Sequence, residues 1–280
     1  MSDYLRPDTL PEALDALSAR RLTIIAGGTD HYPARVAAPL DEDLLDITAI
    51  AGLRGIEERG DDFRIGALTT WTDLIGADLP PSMAGLKAAA RAIGGIQIQN
   101  AATLAGNICN ASPAADGAPN LLALDARINL ASARGARVVP LADFITGNRA
   151  TARAPDEMVV AITIDKTAPG TGSLFLKLGA RSHMVISIVM TALVIEPDGD
   201  RVGSARIAVG ACATVSRRLP ALEAALLGAR LDDRLGGLAE SSHLTPALDP
   251  IDDIRGSAAY RMDAALTLLR RGLGELGARL

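Results

Sequence analysis

The chain has 280 residues, 49% of them hydrophobic and 22% charged, which suits about two folded domains and excludes intrinsic disorder of the whole chain. The net charge is −5, and the aromatic residues are one Trp, three Tyr and three Phe, which argues against nucleic acid or an anionic membrane as the main partner. Any phosphate that the protein binds must therefore be held mostly by backbone amides.

The first half of the sequence predicts short helices and strands. Residues 9–20 predict an amphipathic helix, with Thr9 as N-cap and Glu12 completing a capping box. The β-branched run at 22–26 predicts a buried strand that ends at Gly27. Further predicted elements are strands at 43–47, 52–56 and 63–65, helices from Trp71 and at 83–93, and a hairpin of 128–131 with 138–140. The polar segment between Gly94 and Asn110 is poor in helix signals.

The second half predicts a sheet followed by helices. Its strands are expected at 174–179, 186–196 and 205–210, with a turn at 197–200 between the last two. Helical patterns follow at 222–227 and 258–276. The segment 167–172 is rich in small and turn-forming residues and is the best candidate for a linker.

No targeting or membrane segment is evident. The N-terminus has no basic and apolar signal regions, and the longest apolar stretch, at 184–195, is too short to cross a hydrocarbon core of ~30 Å. These features predict a cytoplasmic protein without an integral membrane segment.

Cys109 and Cys212 are the only cysteines, too few for an all-thiolate iron–sulfur cluster, and the three His show no metal-ligand spacing.

A first candidate anion site follows the strand at 22–26 and reads Ile25-Ala26-Gly27-Gly28-Thr29-Asp30. Adjacent glycines accept positive φ, and successive amides in such a turn can form a nest around an anion. The alternative is a tight turn with no ligand. The segment matches neither the dinucleotide fingerprint G-x-G-x-x-G nor the P-loop, so a nucleotide site here must be of another type.

A second candidate site lies at 101–120, which reads AATLAGNICNASPAADGAPN. Thr103, Gly106 and Asn107 offer polar donors, and the carboxylate of Asp116 could accept from a ribose hydroxyl. Two such loops could clamp a pyrophosphate from both sides, each charge-assisted amide bond contributing roughly 1.5–3 kcal/mol. The alternative is a polar surface loop with Ser-Pro and Asp-Gly turns.

Together these segments resemble the FAD-binding medium subunit of molybdenum hydroxylases, a family that includes the flavin subunit of aerobic carbon monoxide dehydrogenase and the flavin part of xanthine dehydrogenase. Residues 26–30 resemble the first pyrophosphate loop of the family, and residues 103–108 resemble its T-x-G-G-N-I loop. Further similarities are Tyr4-Leu5-Arg6-Pro7, Gly66-Ala67-Leu68-Thr69-Thr70, an F-x-x-G-x-R…P-x-E segment at 144–164, F-x-K-x-x-x-R at 175–181 and S-x-x-Y-R at 257–261. Their order and spacing make the resemblance specific over nearly the whole chain.

The resemblance implies an α+β fold in three parts. A small N-terminal α/β subdomain, residues 1–54, would pack on a larger mixed-sheet subdomain, residues 55–172, with FAD between them. A C-terminal subdomain of three antiparallel strands and helices would follow at 173–280, similar to the C-terminal domain of the carbon monoxide dehydrogenase flavoprotein.

The resemblance also implies the residues that hold FAD. The pyrophosphate would be wrapped by Ala26, Gly27, Gly28, Thr29, Asp30 and His31 and closed from the second loop by Thr103, Gly106 and Asn107. Asp116 would contact the ribityl or ribose region, and Val159 and Lys177 would lie near the isoalloxazine, with Ile93 a further neighbour or plain core. A cation beside the N1–C2 edge would stabilise the anionic reduced flavin. The alternative for Lys177 is a solvated strand lysine.

Two positions depart from the family pattern. Ala105 stands where the family usually has the first glycine of a pair, which a negative φ would tolerate. His31-Tyr32 replaces the common Leu pair, so His31 would titrate near the pyrophosphate or point to solvent. The cysteine-bearing insert of some members is missing from the sequence, so no [4Fe–4S] cluster is predicted.

The implied function is electron transfer within an oxidoreductase complex. One partner would carry the molybdopterin cofactor in a large subunit, and a small subunit would carry [2Fe–2S] clusters, assembled as a dimer of heterotrimers. Electrons would pass through FAD to NAD+ or a quinone, so no catalytic side chain is predicted in this chain. Two alternatives stay open: a stand-alone flavoprotein oxidoreductase, and a scaffold subunit that has lost FAD.

Overall fold

The N-terminal elements form a small parallel sheet covered by one helix. The computed structural model describes residues 3–35 and 41–280. The first elements are β1 (Tyr4–Leu5), α1 (Leu10–Ala19), β2 (Thr23–Ile25) and β3 (Leu44–Asp46). Strand β3 pairs in parallel with β1 on one side and β2 on the other, and Ala13 and Leu17 of α1 belong to the same buried cluster as Leu45. The predicted α/β layer at the N-terminus is therefore present.

Helix α1 begins as the sequence predicts, with one difference in its cap. The hydroxyl of Thr9 accepts from the backbone N–H of Glu12 at 3.4 Å, as an N-cap should. The carboxylate of Glu12, however, accepts from the N–H of Asp8 and not from that of Thr9. The predicted capping box is therefore only half formed, because the backbone N–H that binds Glu12 is one residue earlier than predicted.

The central elements form a five-stranded sheet with helices packed on it. In chain order they are β4 (Ile56–Glu58), β5 (Asp62–Gly66), α2 (Trp71–Gly76), α3 (Ala84–Ala92), α4 (Ile96–Ala101), α5 (Leu104–Asn110), α6 (Gly117–Ala123), β6 (Arg127–Ser132), β7 (Gly135–Pro140), α7 (Leu141–Phe144), β8 (Ile145–Gly147), β9 (Ala150–Thr151) and β10 (Met158–Asp165). The order is β4-β5-β10-β6-β7, and the predicted hairpin is the pair β6–β7.

Every neighbouring pair in this sheet is antiparallel, whereas we predicted a mixed sheet. The reason is that β10 lies between the hairpins β4–β5 and β6–β7 and runs antiparallel to the inner strand of each.

The strand predicted at 52–56 is displaced along the chain. Residues Ala51–Leu53 form a 3₁₀ turn, and the strand begins only at Ile56.

The segment predicted to be poor in helix contains two short helices, α4 and α5. Both helices form despite weak local signals, because tertiary contacts stabilise them. The backbone of Thr69 accepts from the N–H of Leu104, and Leu104 and Ile108 are buried in the core beside Trp71. A local pattern does not reveal such partners.

The C-terminal elements form an antiparallel sheet between two helical layers. They are β11 (Gly172–Leu178), β12 (Val189–Asp198), β13 (Arg201–Gly210), β14 (Arg217–Arg218), α8 (Pro220–Leu226), α9 (Ser241–Leu244) and α10 (Ala258–Gly277). The order is β11-β12-β13-β14. We predicted three strands; the fourth, β14, has only two residues, too few for a periodic signal.

The sheet β11–β14 is buried on both faces, which explains the long apolar stretch in the sequence. On β12, Met190 and Ala192 face the core of the central elements, whereas Val189 and Leu193 face α10 and α8. Successive side chains of a strand point to opposite faces, so a strand that is covered twice is apolar throughout. Because one face of the sheet packs on the central elements, Lys177 of β11 also lies against them.

No helix within residues 3–35 and 41–280 is long and apolar enough to cross a membrane.

Arg261 at the start of α10 connects three segments from inside the fold. Its side chain is buried, and Nη1 donates to the carbonyl of Ile188 at 2.5 Å and to that of Ala211 at 3.0 Å. Its Nη2 donates to the carboxylate of Asp253 at 2.8 Å. The backbone N–H of Arg255 and then the guanidinium of Arg261 lower the pKa of Asp253 from 3.8 to about 2.

We expect this aspartate to make folding sensitive to acid. Because the pKa of Asp253 is lower in the folded chain, its contribution to stability is present above pH ~4 and is lost as the pH falls toward ~2. The variant Asp253→Asn should show a weaker loss of the free energy of unfolding across this range, measured by urea unfolding at several pH values. Asp263→Asn, an exposed change on α10, should behave like the wild type; equal acid dependence in all three proteins would contradict the prediction.

Candidate functional site

The first glycine loop leaves β2 and turns sharply at Gly28, whose φ is +65°. The carbonyl of Gly28 accepts from the N–H of Tyr32 at 3.2 Å, which closes the turn over Thr29, Asp30 and His31. A Cβ on Gly28 would lie 2.7 Å from the ring of Tyr32. Both the backbone angle and the space therefore favour glycine at this position.

Gly27 brings the first loop against the second. A Cβ on Gly27 would lie 1.9 Å from the carbonyl oxygen of Ala101, at the end of α4. The backbone of Gly27 thus lies directly against that of Ala101 and Ala102, although the two loops are far apart in sequence. The structure therefore brings together the two segments that the sequence singled out.

Thr103 begins α5 and organises the second loop. Its hydroxyl accepts from the N–H of Gly106 at 2.9 Å as an N-cap. A Cβ on Gly106 would lie 2.7 Å from that hydroxyl, so glycine permits the cap. Ala105 is buried in the first turn of α5, where helical φ is negative, so its methyl group is accommodated as the sequence analysis required.

Asn107 connects the second loop to helix α6. Its Oδ1 accepts from the N–H of Gly117 at 3.2 Å. Gly117 is the first residue of α6 and follows Asp116 directly. A continuous series of contacts thus runs from Gly27 through the second loop to Asp116.

Asp116 and Lys177 form a buried ion pair. The Nζ of Lys177 donates to Oδ2 of Asp116 at 2.7 Å, and the hydroxyl of Ser187 donates to Oδ1 at 2.5 Å. The side chains of Lys177 and Asp116 are only 12% and 8% exposed, so this lysine is not a solvated strand lysine. Burial raises the pKa of Asp116, although Lys177 and then Ser187 act in the opposite direction.

A cavity of about 530 Å³ opens beside Lys177. Helix α3, strand β11 and the segment after it form its wall, with Ala88, Ala92, Phe175, Leu176, Lys177, Leu178, Gly179, Arg181, Ser182 and Val185 as lining residues. The polar side chains in this wall are Lys177, Arg181 and Ser182. Ile93 ends α3 next to this wall, and its carbonyl accepts from the side chain of Gln99.

Val159 lies in the hydrophobic core. It is 6% exposed on the central strand β10 and pairs with Leu130 of β6 just before an irregularity in register. It packs in the large apolar cluster that also contains Phe175. Its placement near a flavin stays a prediction.

Arg149 is a residue to which the sequence analysis assigned no role. It lies between β8 and β9 with a positive φ of 58°, and its Nη1 donates to Asp30 of the first loop at 2.5 Å. The same nitrogen donates to Oδ1 of Asn110, at the end of α5. Arg149 therefore links the two loops from outside. Arg149 is the last residue of the F-x-x-G-x-R pattern, and this pattern is the sequence feature that could have indicated its role.

Comparisons with known proteins show the family of this chain. Residues 1–166 match the family described as the FAD binding domain in molybdopterin dehydrogenase, and residues 175–276 match the CO dehydrogenase flavoprotein C-terminal domain. The chain belongs to this family. It is an oxidoreductase flavoprotein subunit of the xanthine dehydrogenase and CO dehydrogenase type, and its cofactor is FAD.

The similarity to individual members extends over full lengths. The nicotine 6-hydroxylase medium subunit of Paenarthrobacter nicotinovorans is 31% identical over 99% of this chain and 97% of that protein. The xanthine dehydrogenase FAD-binding subunit of Escherichia coli O157:H7 is 32% identical over 98% and 95%. A solved structure of CO dehydrogenase from Oligotropha carboxidovorans has a TM-score of 0.93 at 30% identity, covering 100% of this chain and 99% of that one. The predicted α+β fold class is confirmed.

The first loop of this family member fits the cofactor. The contact of Gly27 with Ala101 has no room for a side chain, so the two loops meet there through peptide backbone alone. The Nε2 of His31 is buried and has no hydrogen-bond partner among the described residues. Burial and then Arg35 lower the pKa of His31, so its imidazole is neutral near pH 7 and able to donate to or accept from a ligand.

Proposed function

We propose that this chain is the electron-transfer subunit of a molybdenum hydroxylase, taking electrons from [2Fe–2S] clusters of one partner and passing them to NAD+ or a quinone. The observation that carries the proposal is the contact series from Gly27 to Lys177, which connects two backbone-rich loops to a cavity wall. The polar side chains of that wall are two cations and a serine. Such a set suits binding and electrostatic stabilisation better than the proton abstraction that a stand-alone oxidoreductase needs.

The residues divide between binding and tuning. We assign the pyrophosphate to the first loop, with Ala26, Gly27, Gly28, Thr29, Asp30 and His31, and to Thr103, Gly106 and Asn107 of the second. Asp116 is assigned to the ribityl or ribose region, and Val159 and Lys177 to the isoalloxazine. The positive φ at Gly28 is the kind of backbone conformation in which successive amides can form a nest around an anion.

FAD supplies a centre that accepts electrons singly and releases them in pairs. The chain contributes orientation and charge. The Nζ of Lys177 lies beside the cavity, and its bond to Asp116 keeps it in one place. The apolar side chains of Ala88, Ala92 and Phe175 exclude water from the same wall.

The names of the relatives support the proposed partners. The protein from Paenarthrobacter nicotinovorans is a medium subunit, and the one from Hydrogenophaga pseudoflava is the medium chain of a carbon monoxide dehydrogenase. By analogy, we assign to this chain a [2Fe–2S] small subunit and a molybdopterin-containing large subunit, in a cytoplasmic dimer of heterotrimers. The analogy leaves the substrate of the complex open, since the large subunit determines it.

The test is affinity purification of the tagged chain from its native host, followed by absorbance spectra and metal analysis. We expect flavin identified as FAD, with iron and molybdenum in the same fraction. FAD without either metal would favour the stand-alone flavoprotein. Metals without FAD, even after FAD is added, would favour the scaffold that has lost its cofactor.

A further inference from the structure

Ser187 is a buried residue to which neither the sequence analysis nor the proposed function assigns a role. It is 2% exposed and lies just before β12, at the end of the segment that leaves β11 and lines the cavity. Its hydroxyl donates to Oδ1 of Asp116 at 2.5 Å. Asp116 therefore receives one hydrogen bond at each carboxylate oxygen, from Ser187 and from Lys177.

Three separate segments meet at this carboxylate. Asp116 precedes α6, Lys177 lies near the end of β11, and Ser187 precedes β12. A lysine side chain is a flexible stem that places its charge precisely only when partners hold it. The carboxylate is such a partner, and the serine fixes the orientation of the carboxylate.

The pair also changes the charge that a ligand in the cavity meets. An ammonium and a carboxylate 2.7 Å apart have a small net field at the cavity wall. Removing the negative partner alone would leave an unbalanced cation in a poorly solvated place. Removing the cation alone would lead the buried carboxyl group to take up a proton, because burial disfavours its charge.

We infer that Ser187 and Asp116 are positioning residues, which hold the Lys177 ammonium at the cavity wall and balance its charge, so that they set the reduction potential of the bound flavin. The inference rests on the proposed function, which assigns Lys177 of this cavity wall to the isoalloxazine. If Ser187 and Asp116 had only a structural role, replacing them would change the stability of the chain and leave the reduction potential of the flavin unchanged.

The variants separate these roles. Asp116→Asn leaves the ammonium without its counter-charge and should raise the midpoint potential of FAD, since a cation favours the anionic reduced flavin. Ser187→Ala should shift the potential in the same direction by less, because losing this donor raises the pKa of Asp116 and weakens its negative counter-charge, while the bond to Lys177 remains. Lys177→Met should change the potential least of the three, since the buried carboxyl group becomes neutral.

Ser173→Ala is the matched control. Ser173 is also buried on β11, and its hydroxyl accepts from the N–H of Gly85 and donates to the carbonyl of Pro81. Its loss removes buried hydrogen bonds at the same interface without touching the ion pair. Its potential should equal that of the wild type.

The experiment measures the midpoint potential of FAD bound to the full chain, by equilibration with redox dyes, together with thermal unfolding of the FAD-free chain. The order Asp116→Asn above Ser187→Ala above wild type supports the inference. Potentials that are equal in all FAD-loaded variants, or a larger shift in Lys177→Met than in Asp116→Asn, would overturn it while the proposed function stands. A wild-type chain that binds no FAD, alone or with its copurified partners, would overturn both.

Discussion

Gly27→Ala is expected to weaken FAD binding by about 5-fold to 150-fold. The added Cβ would meet the carbonyl oxygen of Ala101 at 1.9 Å and the carbon of that carbonyl at 2.6 Å. These are backbone atoms and cannot turn away as a side chain can, so the two loops must separate. Overpacking of this kind costs about 1–3 kcal/mol, which corresponds to the expected range if the cost falls on the bound state.

The measurement is titration of the FAD-free chain with FAD, followed by the change in flavin fluorescence. Gly52→Ala is the matched control, because Gly52 has no atom within 4 Å of its Cβ position. This variant should bind FAD as the wild type does. If Gly27→Ala binds FAD with unchanged affinity and retains its fold by circular dichroism, the contact between the loops is not part of the cofactor site.

Lys177→Met is expected to lower the free energy of unfolding of the FAD-free chain by about 3–5 kcal/mol near neutral pH, as when one partner of a buried ion pair is removed. Methionine fills a similar volume, so the loss comes from Asp116, whose buried carboxyl group loses the bond from Lys177 and must take up a proton at a cost in free energy near neutral pH. The double variant Lys177→Met/Asp116→Asn should regain most of the loss, because an amide is neutral without taking up a proton.

The loss in Lys177→Met should also depend on pH with a definite sign. Burial raises the pKa of Asp116, and removal of Lys177 removes the main opposing cause. A carboxyl group whose pKa is higher in the folded state contributes most to stability below its unfolded pKa of ~4 and loses this contribution as the pH rises. Urea unfolding at pH 5 and pH 7.5 should therefore show a smaller difference from wild type at the lower pH. An equal difference at both values, with no recovery in the double variant, would contradict the account.

Several elements were predictable because their signals are local. Helix α10 begins after Ser257, whose hydroxyl accepts from the N–H of Tyr260, and the hairpin β6–β7 turns at Gly135, whose φ is +135°. N-caps, turn glycines and hydrophobic periodicity each depend on a few neighbouring residues. The elements that the sequence missed, such as α4, α5 and β14, are short and depend on contacts with distant residues.

The candidate site divides in the same way. The glycines of the first loop and the polar residues of the second stand out in the sequence, because positive φ and caps impose a residue type. Arg149 and Ser187 do not stand out, since an arginine in a turn and a serine before a strand are common on any surface. Only their partners, Asp30 and Asp116, distinguish them.

By itself the sequence determined the family, the cofactor and the two loops, because these depend on motifs whose order and spacing are preserved along the chain. The tertiary structure decided how these parts act together. It placed Gly27 against Ala101, and it paired Asp116 with Lys177 across 61 positions of sequence. The physical reason is that burial turns a lysine and an aspartate, each ordinary in a solvated segment, into an ion pair whose charges must balance each other.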